Sequence, residues 1–209
     1  MPNVTAVLFD YGQVLSGPPD PAAWERLKAF LGADEASFHT AYWKHRDDYD
    51  RGALTAQACW QQVARDLGKT LDATQLQQVI DTDTDLWTQP NRPMIEWAAT
   101  LQRAAVKTGI LSNIGDAMEQ GVLARCTWLS GFTHHTFSHR LGIAKPDPAI
   151  YRHAAEGLAT DRAEILFIDD REDNIAAARA AGMQAVRYTD HAAFRRTMRD
   201  EGFGFLLDL

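Results

Sequence analysis

Short apolar runs that end in polar residues alternate with amphipathic stretches along most of the chain. The first run, Val4 to Phe9, ends directly in Asp10, and a later run, Ile165 to Ile168, ends in Asp169 and Asp170. Alternation of strand-like and helix-like segments is typical of βαβ units and a parallel sheet. The sequence therefore predicts an α/β fold with a Rossmann-like parallel sheet core and helices on both faces.

The remaining predicted elements follow the same alternation. Three further strands are predicted at Val106 to Leu111, Phe132 to Phe137 and Ala185 to Tyr188. The predicted helices between and after the strands are Asp116 to Arg125, Pro148 to Gly157, Asp173 to Ala181 and His191 to Arg199.

The stretch between the first two predicted strands contains helical patterns only. Its predicted helices are Pro21 to Leu31, Ala36 to Tyr49, Thr55 to Leu67 and Ala73 to Trp87. This block predicts a helical cap, residues 18–88, inserted into an α/β core made of residues 1–17 and 89–209. The tryptophans at cap-helix positions, Trp43 and Trp87 among them, are expected to pack in its interior.

Composition narrows the classes of partner. The chain has 209 residues and a net charge of −7, which argues against a general nucleic-acid surface. No apolar run approaches the roughly 20 residues of a membrane helix, and the N-terminus lacks the pattern of a signal peptide. We expect a cytoplasmic monomer or homodimer with no nucleic-acid or membrane partner.

Polar residues at the ends of the predicted strands suggest phosphoryl chemistry. Ligands of parallel α/β sheets bind outside the carboxyl ends of the strands, where Asp10, Ser112 and Asp170 are expected. A carboxylate can attack phosphorus, and Mg²⁺ held by one or two carboxylates removes the repulsion between the two anions. Lys145, in a loop stiffened by prolines on its C-terminal side, and Ser112 are suited to hold the phosphoryl oxygens.

Four ordered segments resemble the motifs of the haloacid dehalogenase-like superfamily. They are Phe9-Asp10-Tyr11-Gly12-Gln13-Val14-Leu15, Leu111-Ser112-Asn113, Lys145-Pro146-Asp147-Pro148, and Phe167-Ile168-Asp169-Asp170-Arg171 with Asn174. The resemblance covers nearly the whole chain.

The resemblance implies roles for individual residues. Asp10 would be the nucleophile and Lys145 would steady both nucleophile and phosphate, while Ser112 and Asn113 would bind the phosphoryl group. Asp10, Asp170 and the backbone carbonyl of Gly12 would hold Mg²⁺. The activity implied is hydrolysis of a small phosphorylated substrate.

The cap is similar to that of a subgroup containing sugar-phosphate phosphatases and the N-terminal phosphatase domain of epoxide hydrolases. Tyr49-Asp50-Arg51-Gly52 carries part of this similarity. It makes a sugar phosphate a candidate substrate. Arg46 and Tyr49 are predicted to meet the substrate from the cap.

Gly12 departs from the family pattern, because most phosphatases of this superfamily carry an acid–base aspartate there. General acid–base help is typically worth about 10²–10⁴ in rate. We therefore expect a weakened or differently assisted phosphatase. Two alternatives are a non-catalytic or weakly active ligand-binding homologue, which Gly12 favours, and a metal-independent 2-haloacid dehalogenase, against which Asp170 counts.

Overall fold

The computed structural model describes residues 3–209 and contains one five-stranded, fully parallel sheet. The strands are β1 (Ala6–Phe9), β2 (Lys107–Ser112), β3 (His134–Phe137), β4 (Ile165–Asp169) and β5 (Gln184–Arg187). Their order across the sheet is β3-β2-β1-β4-β5, so β1 is central and its carboxyl end lies between those of β2 and β4. All five strands predicted from the sequence are present, and the predicted fold class is confirmed.

Both faces of the sheet are covered by apolar clusters, and successive side chains of each strand point alternately into one cluster and the other. Val7 and Phe9 of β1 belong to one cluster, and Ala6 and Leu8 belong to the other. Successive side chains of a strand point to opposite faces. The sheet is therefore the middle layer of three, as expected when helical crossovers connect parallel strands.

Residues 21–87, between β1 and β2, form five helices. They are α1 (Pro21–Leu31), α2 (Glu35–Lys44), α3 (Arg46–Asp50), α4 (Ala56–Asp66) and α5 (Ala73–Trp87). The single helix predicted for residues 36–49 is instead two, because the chain leaves helical geometry at His45 (φ −108°, ψ 0°). His45 Nε2 lies 2.7 Å from Asp66 Oδ2 of α4, a tertiary contact at the break that local periodicity does not reveal.

Six helices follow the insertion. They are α6 (Arg92–Arg103), α7 (Asp116–Arg125), α8 (Ser138–Leu141), α9 (Pro148–Leu158), α10 (Glu172–Ala180) and α11 (His191–Asp200). Helices α6 and α8 were not among the predicted elements. Helix α6 buries Met94, Trp97, Ala98 and Leu101, the spacing of one helical face. No helix within residues 3–209 has the length and apolar character needed to cross a membrane.

Helix α3 is fixed to the carboxyl edge of the sheet by close contacts. The hydroxyl of Tyr49 accepts a hydrogen bond from the backbone N–H of Met118 at 3.1 Å. A Cβ atom on Gly115 would lie 2.2 Å from the Tyr49 ring, so only glycine fits there. The hydroxyl of Ser138 joins the carbonyl of Asp50 to the backbone of Ile114. These contacts fix α3 against the segments that follow β2 and β3.

Candidate active site

A cleft of about 190 Å³ opens where the carboxyl ends of the central strands meet α3. The residues predicted at the strand ends, Asp10, Ser112 and Asp170, all line it, together with Lys145. The parallel topology brings them together, because β1, β2 and β4 are adjacent and end at the same edge. The insertion contributes Trp43, Arg46, Asp47, Asp50 and Trp87 to the opposite wall.

Lys145 lies at the centre of the carboxylate cluster. Its Nζ is 2.8 Å from Asp10 Oδ1 and 2.7 Å from Asp169 Oδ2, and its side chain is 1% exposed. Two hydrogen bonds with Asn113 hold its backbone: Lys145 N–H donates to Asn113 Oδ1 at 2.8 Å, and Asn113 Nδ2 donates to the Lys145 carbonyl at 3.0 Å. The side chain of Asn113 therefore positions Lys145.

Asp169 is fully engaged by protein donors. The backbone N–H of Arg171 donates to its Oδ1 at 2.9 Å, and Asn174 Nδ2 lies 3.0 and 3.1 Å from its two oxygens. With Lys145 on Oδ2, the carboxylate is fully buried and fixed in orientation. Asp169 therefore acts as the anchor that holds the Lys145 ammonium beside Asp10.

The turn after β1 presents the side chain of Asp10 and the backbone of Gly12 to the cleft. Asp10 Oδ1 accepts the N–H of Tyr11 at 2.7 Å, whereas no described residue donates to Oδ2. Gln13 has a left-handed backbone (φ 56°), and its Nε2 donates to Asp170 Oδ2 at 3.0 Å. Gly12 has φ −62°, and no atom lies within 4 Å of where its Cβ would be.

The electrostatics of the cluster are set by three carboxylates around one ammonium. Burial, opposed by Lys145 and reinforced by Asp169 and Asp170, raises the pKa of Asp10 from 3.8 to about 8. Burial and Asp169 also raise the pKa of Asp170. Burial opposes the charge of Lys145, but Asp10 and Asp169 outweigh it and raise the lysine pKa. The cluster therefore lacks positive charge, as expected of a site that takes a cation.

The oxygen donors of this cluster fit Mg²⁺. Asp10, Asp169 and Asp170 each place one carboxylate oxygen within 4.8 Å of the others. Mg²⁺ prefers carboxylate and carbonyl oxygens and keeps several waters. Because protein donors engage Asp169, the residues suited to hold the ion are Asp10, Asp170 and the backbone carbonyl of Gly12.

Ser112 ends β2 on the other side of Asp10 and is 3% exposed. Its hydroxyl makes one long contact of 3.5 Å, to the carbonyl of Asn113. The hydroxyl is free to reorient its proton towards a ligand in the cleft.

The two residues predicted to meet the substrate from the cap have different surroundings. Arg46 lines the cleft, whereas Tyr49 does not; it is 2% exposed and packs on Gly115. Arg46 Nε donates to Asp50 at 3.1 Å, and its Nη1 donates to Asp83 at 3.2 Å and to the Tyr42 hydroxyl at 2.7 Å.

Two tryptophans of the insertion, Trp43 and Trp87, line the cleft, and the sequence also did not reveal Asp83, the buried partner of Arg46. Trp43 was expected to pack in the cap interior but is 44% exposed and lines the cleft. Asp83, 37 residues from Arg46 in the sequence, is buried beneath it. An aspartate at a buried helical position between Ile80 and Leu86 was the available signal, because a buried carboxylate needs a partner.

The comparison with family models settles the family. The model for haloacid dehalogenase-like hydrolases matches residues 4–182. The chain belongs to the haloacid dehalogenase-like hydrolases. Among curated relatives of this hydrolase, bifunctional epoxide hydrolase 2 of Sus scrofa is 28% identical over 90% of the chain, which spans 37% of that protein. A phosphatase of Mycobacterium tuberculosis (strain CDC 1551 / Oshkosh) is 36% identical over 45% of the chain and 42% of its own length. The hydrolase thus spans less than half of these relatives.

Solved structures with this fold include a phosphate complex and a dehalogenase. A HAD family enzyme from Bacteroides thetaiotaomicron, in complex with magnesium and inorganic phosphate, matches with a TM-score of 0.71 at 19% identity over 90% of this chain and 96% of its own. The L-2-haloacid dehalogenase from Xanthobacter autotrophicus, with chloropropionic acid covalently bound, matches with a TM-score of 0.70 at 19% identity over 96% and 84% of the two chains. At these identities the likeness shows the fold.

Proposed function

We propose that this hydrolase is a Mg²⁺-dependent phosphohydrolase that forms an aspartyl-phosphate on Asp10. The observation that carries the proposal is the cluster itself, in which a nucleophile-capable carboxylate lies 2.8 Å from a buried lysine and beside a second carboxylate, Asp170. A dehalogenase attacks carbon and needs no metal, so it has no use for the extra carboxylate. The names of the relatives, a phosphatase among them, and the magnesium and phosphate of a structural neighbour agree with this proposal.

The residues of the cleft divide the reaction between them. Oδ2 of Asp10 attacks phosphorus, and the bond from phosphorus to the alcohol oxygen of the substrate breaks. The Lys145 ammonium and the Ser112 hydroxyl donate to the phosphoryl oxygens while charge spreads over them. Bound Mg²⁺ would supply the positive charge that lets two anions approach. Water then attacks the phosphorus of phospho-Asp10, releasing inorganic phosphate and restoring the carboxylate.

Departure of the alcohol is the step least assisted by this chain. Gly12 carries no side chain that could protonate the leaving oxygen. We therefore expect slow turnover for substrates that leave as alkoxides and faster turnover for those that leave as stable anions. A small phosphorylated metabolite, with sugar phosphates as candidates, is the proposed substrate class, and the helical insertion is proposed to act as its cap.

The test measures phosphate release from p-nitrophenyl phosphate and a panel of sugar phosphates, with Mg²⁺ and with excess EDTA. We expect release only with Mg²⁺, and none from Asp10→Asn. Asp48→Asn, which removes the same charge outside the cleft, should retain full activity. Mass spectrometry after acid quenching should show one phosphoryl group on the peptide containing Asp10.

Three results would contradict the proposal. Phosphate release that continues in EDTA would remove the role of the metal. Chloride release from 2-chloropropionate in EDTA, without phosphate release from any ester, would establish the dehalogenase alternative. Ligand binding without turnover of any ester would favour the non-catalytic alternative.

A further inference from the structure

The wall of the cleft opposite Asp10 carries more negative than positive charge. From the insertion, Asp47, Asp50 and Arg46 line the cleft, which gives two carboxylates against one guanidinium. Burial raises the pKa of Asp50, opposed by Arg46, to about 6, so this carboxylate is ionised at pH 7.5. Arg171, which lines the cleft from the core, is paired with Asp173 at 2.7 Å.

Arg46 is not available as an anion clamp. Its Nε and Nη1 already donate to Asp50 and Asp83, and its guanidinium stacks over the rings of Tyr42, Tyr49 and Trp87 at 5.4–5.8 Å. The residue is 8% exposed. Within the described residues, Nη2 has no hydrogen-bond partner, and the side chain faces the cleft. Arg46 can therefore donate a hydrogen bond into the cleft through Nη2, but Asp50 and Asp83 neutralise its positive charge.

The other groups of this wall suit an uncharged, hydroxylated ligand. Trp43 presents an exposed ring at its edge, on which an apolar face can stack. The carboxylates of Asp47 and Asp50 accept hydrogen bonds and cannot donate them when ionised. Hydroxyl groups satisfy both these acceptors and the donor on Arg46, whereas a second anionic group meets net negative charge.

We propose that the wall formed by Trp43, Arg46, Asp47 and Asp50 selects phosphate monoesters whose alcohol part is hydroxylated and carries no second negative charge. This inference rests on the proposed phosphohydrolase function. The cleft would accept phosphate esters of neutral and amino-bearing alcohols and reject bisphosphates and phosphorylated carboxylic acids.

The test uses three esters that share a six-carbon frame and differ in charge: glucose 6-phosphate, glucosamine 6-phosphate and 6-phosphogluconate. At low ionic strength we expect kcat/KM for 6-phosphogluconate to be about tenfold or more below that for glucose 6-phosphate, with glucosamine 6-phosphate equal to glucose 6-phosphate or better. Added salt should bring the kcat/KM values for 6-phosphogluconate and glucose 6-phosphate closer together.

Matched variants assign the effect to the wall. Asp47 and Asp48 are both exposed and adjacent, but only Asp47 lines the cleft. Asp47→Asn should reduce the discrimination against 6-phosphogluconate about threefold or more, and Asp48→Asn should leave it unchanged. Equal turnover of all three esters, or an equal response to the two variants, would overturn the proposal while leaving the phosphohydrolase function standing. Absence of turnover with these esters and with p-nitrophenyl phosphate would overturn both.

Discussion

Replacement of Asp10 by asparagine should stabilise the metal-free protein. Asp10 is 7% exposed, and its pKa is raised from 3.8 to about 8, first by burial and then by Asp169 and Asp170 against the opposing effect of Lys145. A folded-state pKa above the unfolded value contributes stability that is fully present below pH 3.8 and lost as the pH rises through 8. Asp10→Asn keeps the shape and removes the ionisation.

The size of the effect follows from the shift. Relative to acid pH, the ionisation of Asp10 lowers the free energy of unfolding of wild type by about 4 kcal/mol at pH 7 and by about 2 kcal/mol at pH 5. Against this, Asp10→Asn weakens the charge-assisted contact with Lys145, at a cost of about 2 kcal/mol. In EDTA, the free energy of unfolding of Asp10→Asn should therefore be about 2 kcal/mol higher than that of wild type at pH 7. The two values should be equal near pH 5.

Urea unfolding followed by tryptophan fluorescence at several pH values measures this difference. Asp48→Asn is the control, because its exposed carboxylate lies outside the cluster. Mg²⁺ should stabilise wild type more than Asp10→Asn. If Asp10→Asn is less stable than wild type at pH 7, or if the difference is constant from pH 5 to 7, the reasoning about the crowded carboxylates is refuted.

Three further substitutions test other parts of the structure. An aspartate side chain fits at position 12, where φ is one that any residue adopts. Gly12→Asp should raise kcat for alkyl phosphates about 10- to 100-fold. It should not raise kcat for p-nitrophenyl phosphate, and Gly12→Asn should give no gain with either substrate. Lys145→Gln leaves two buried carboxylates without their cation, so the free energy of unfolding should fall by about 3–5 kcal/mol, with part recovered by adding Asp10→Asn. The added methyl group of Gly115→Ala would clash with the Tyr49 ring. This variant should lower the free energy of unfolding, measured in urea, by about 1–3 kcal/mol.

The core half of the site could be read from the sequence because topology places it. Once the apolar runs are taken as adjacent parallel strands, Asp10, Ser112 and Asp170 must share one edge. Helix α6 was equally readable, since its buried positions follow a helical period and Pro93 lies in its first turn.

The insertion half of the site was not readable because it depends on contacts distant in sequence. The break at His45 accompanies a contact with Asp66, and the state of Arg46 depends on Asp83. A helical pattern gives the face of each side chain but not the neighbour that face meets. The sequence therefore predicted only that Arg46 meets the substrate, whereas the structure shows its charge already paired with Asp50 and Asp83.

The absence of a carboxylate at position 12 has opposite consequences for stability and for rate. The cluster already contains three carboxylates and one ammonium, and a fourth carboxylate at the open Gly12 position would add repulsion. Gly12→Asp should therefore lower the stability of the metal-free protein while it speeds alkoxide departure. Asp10→Asn should raise the stability and abolish turnover. If Gly12→Asp raised both stability and rate, charge crowding could not be what limits the stability of this site.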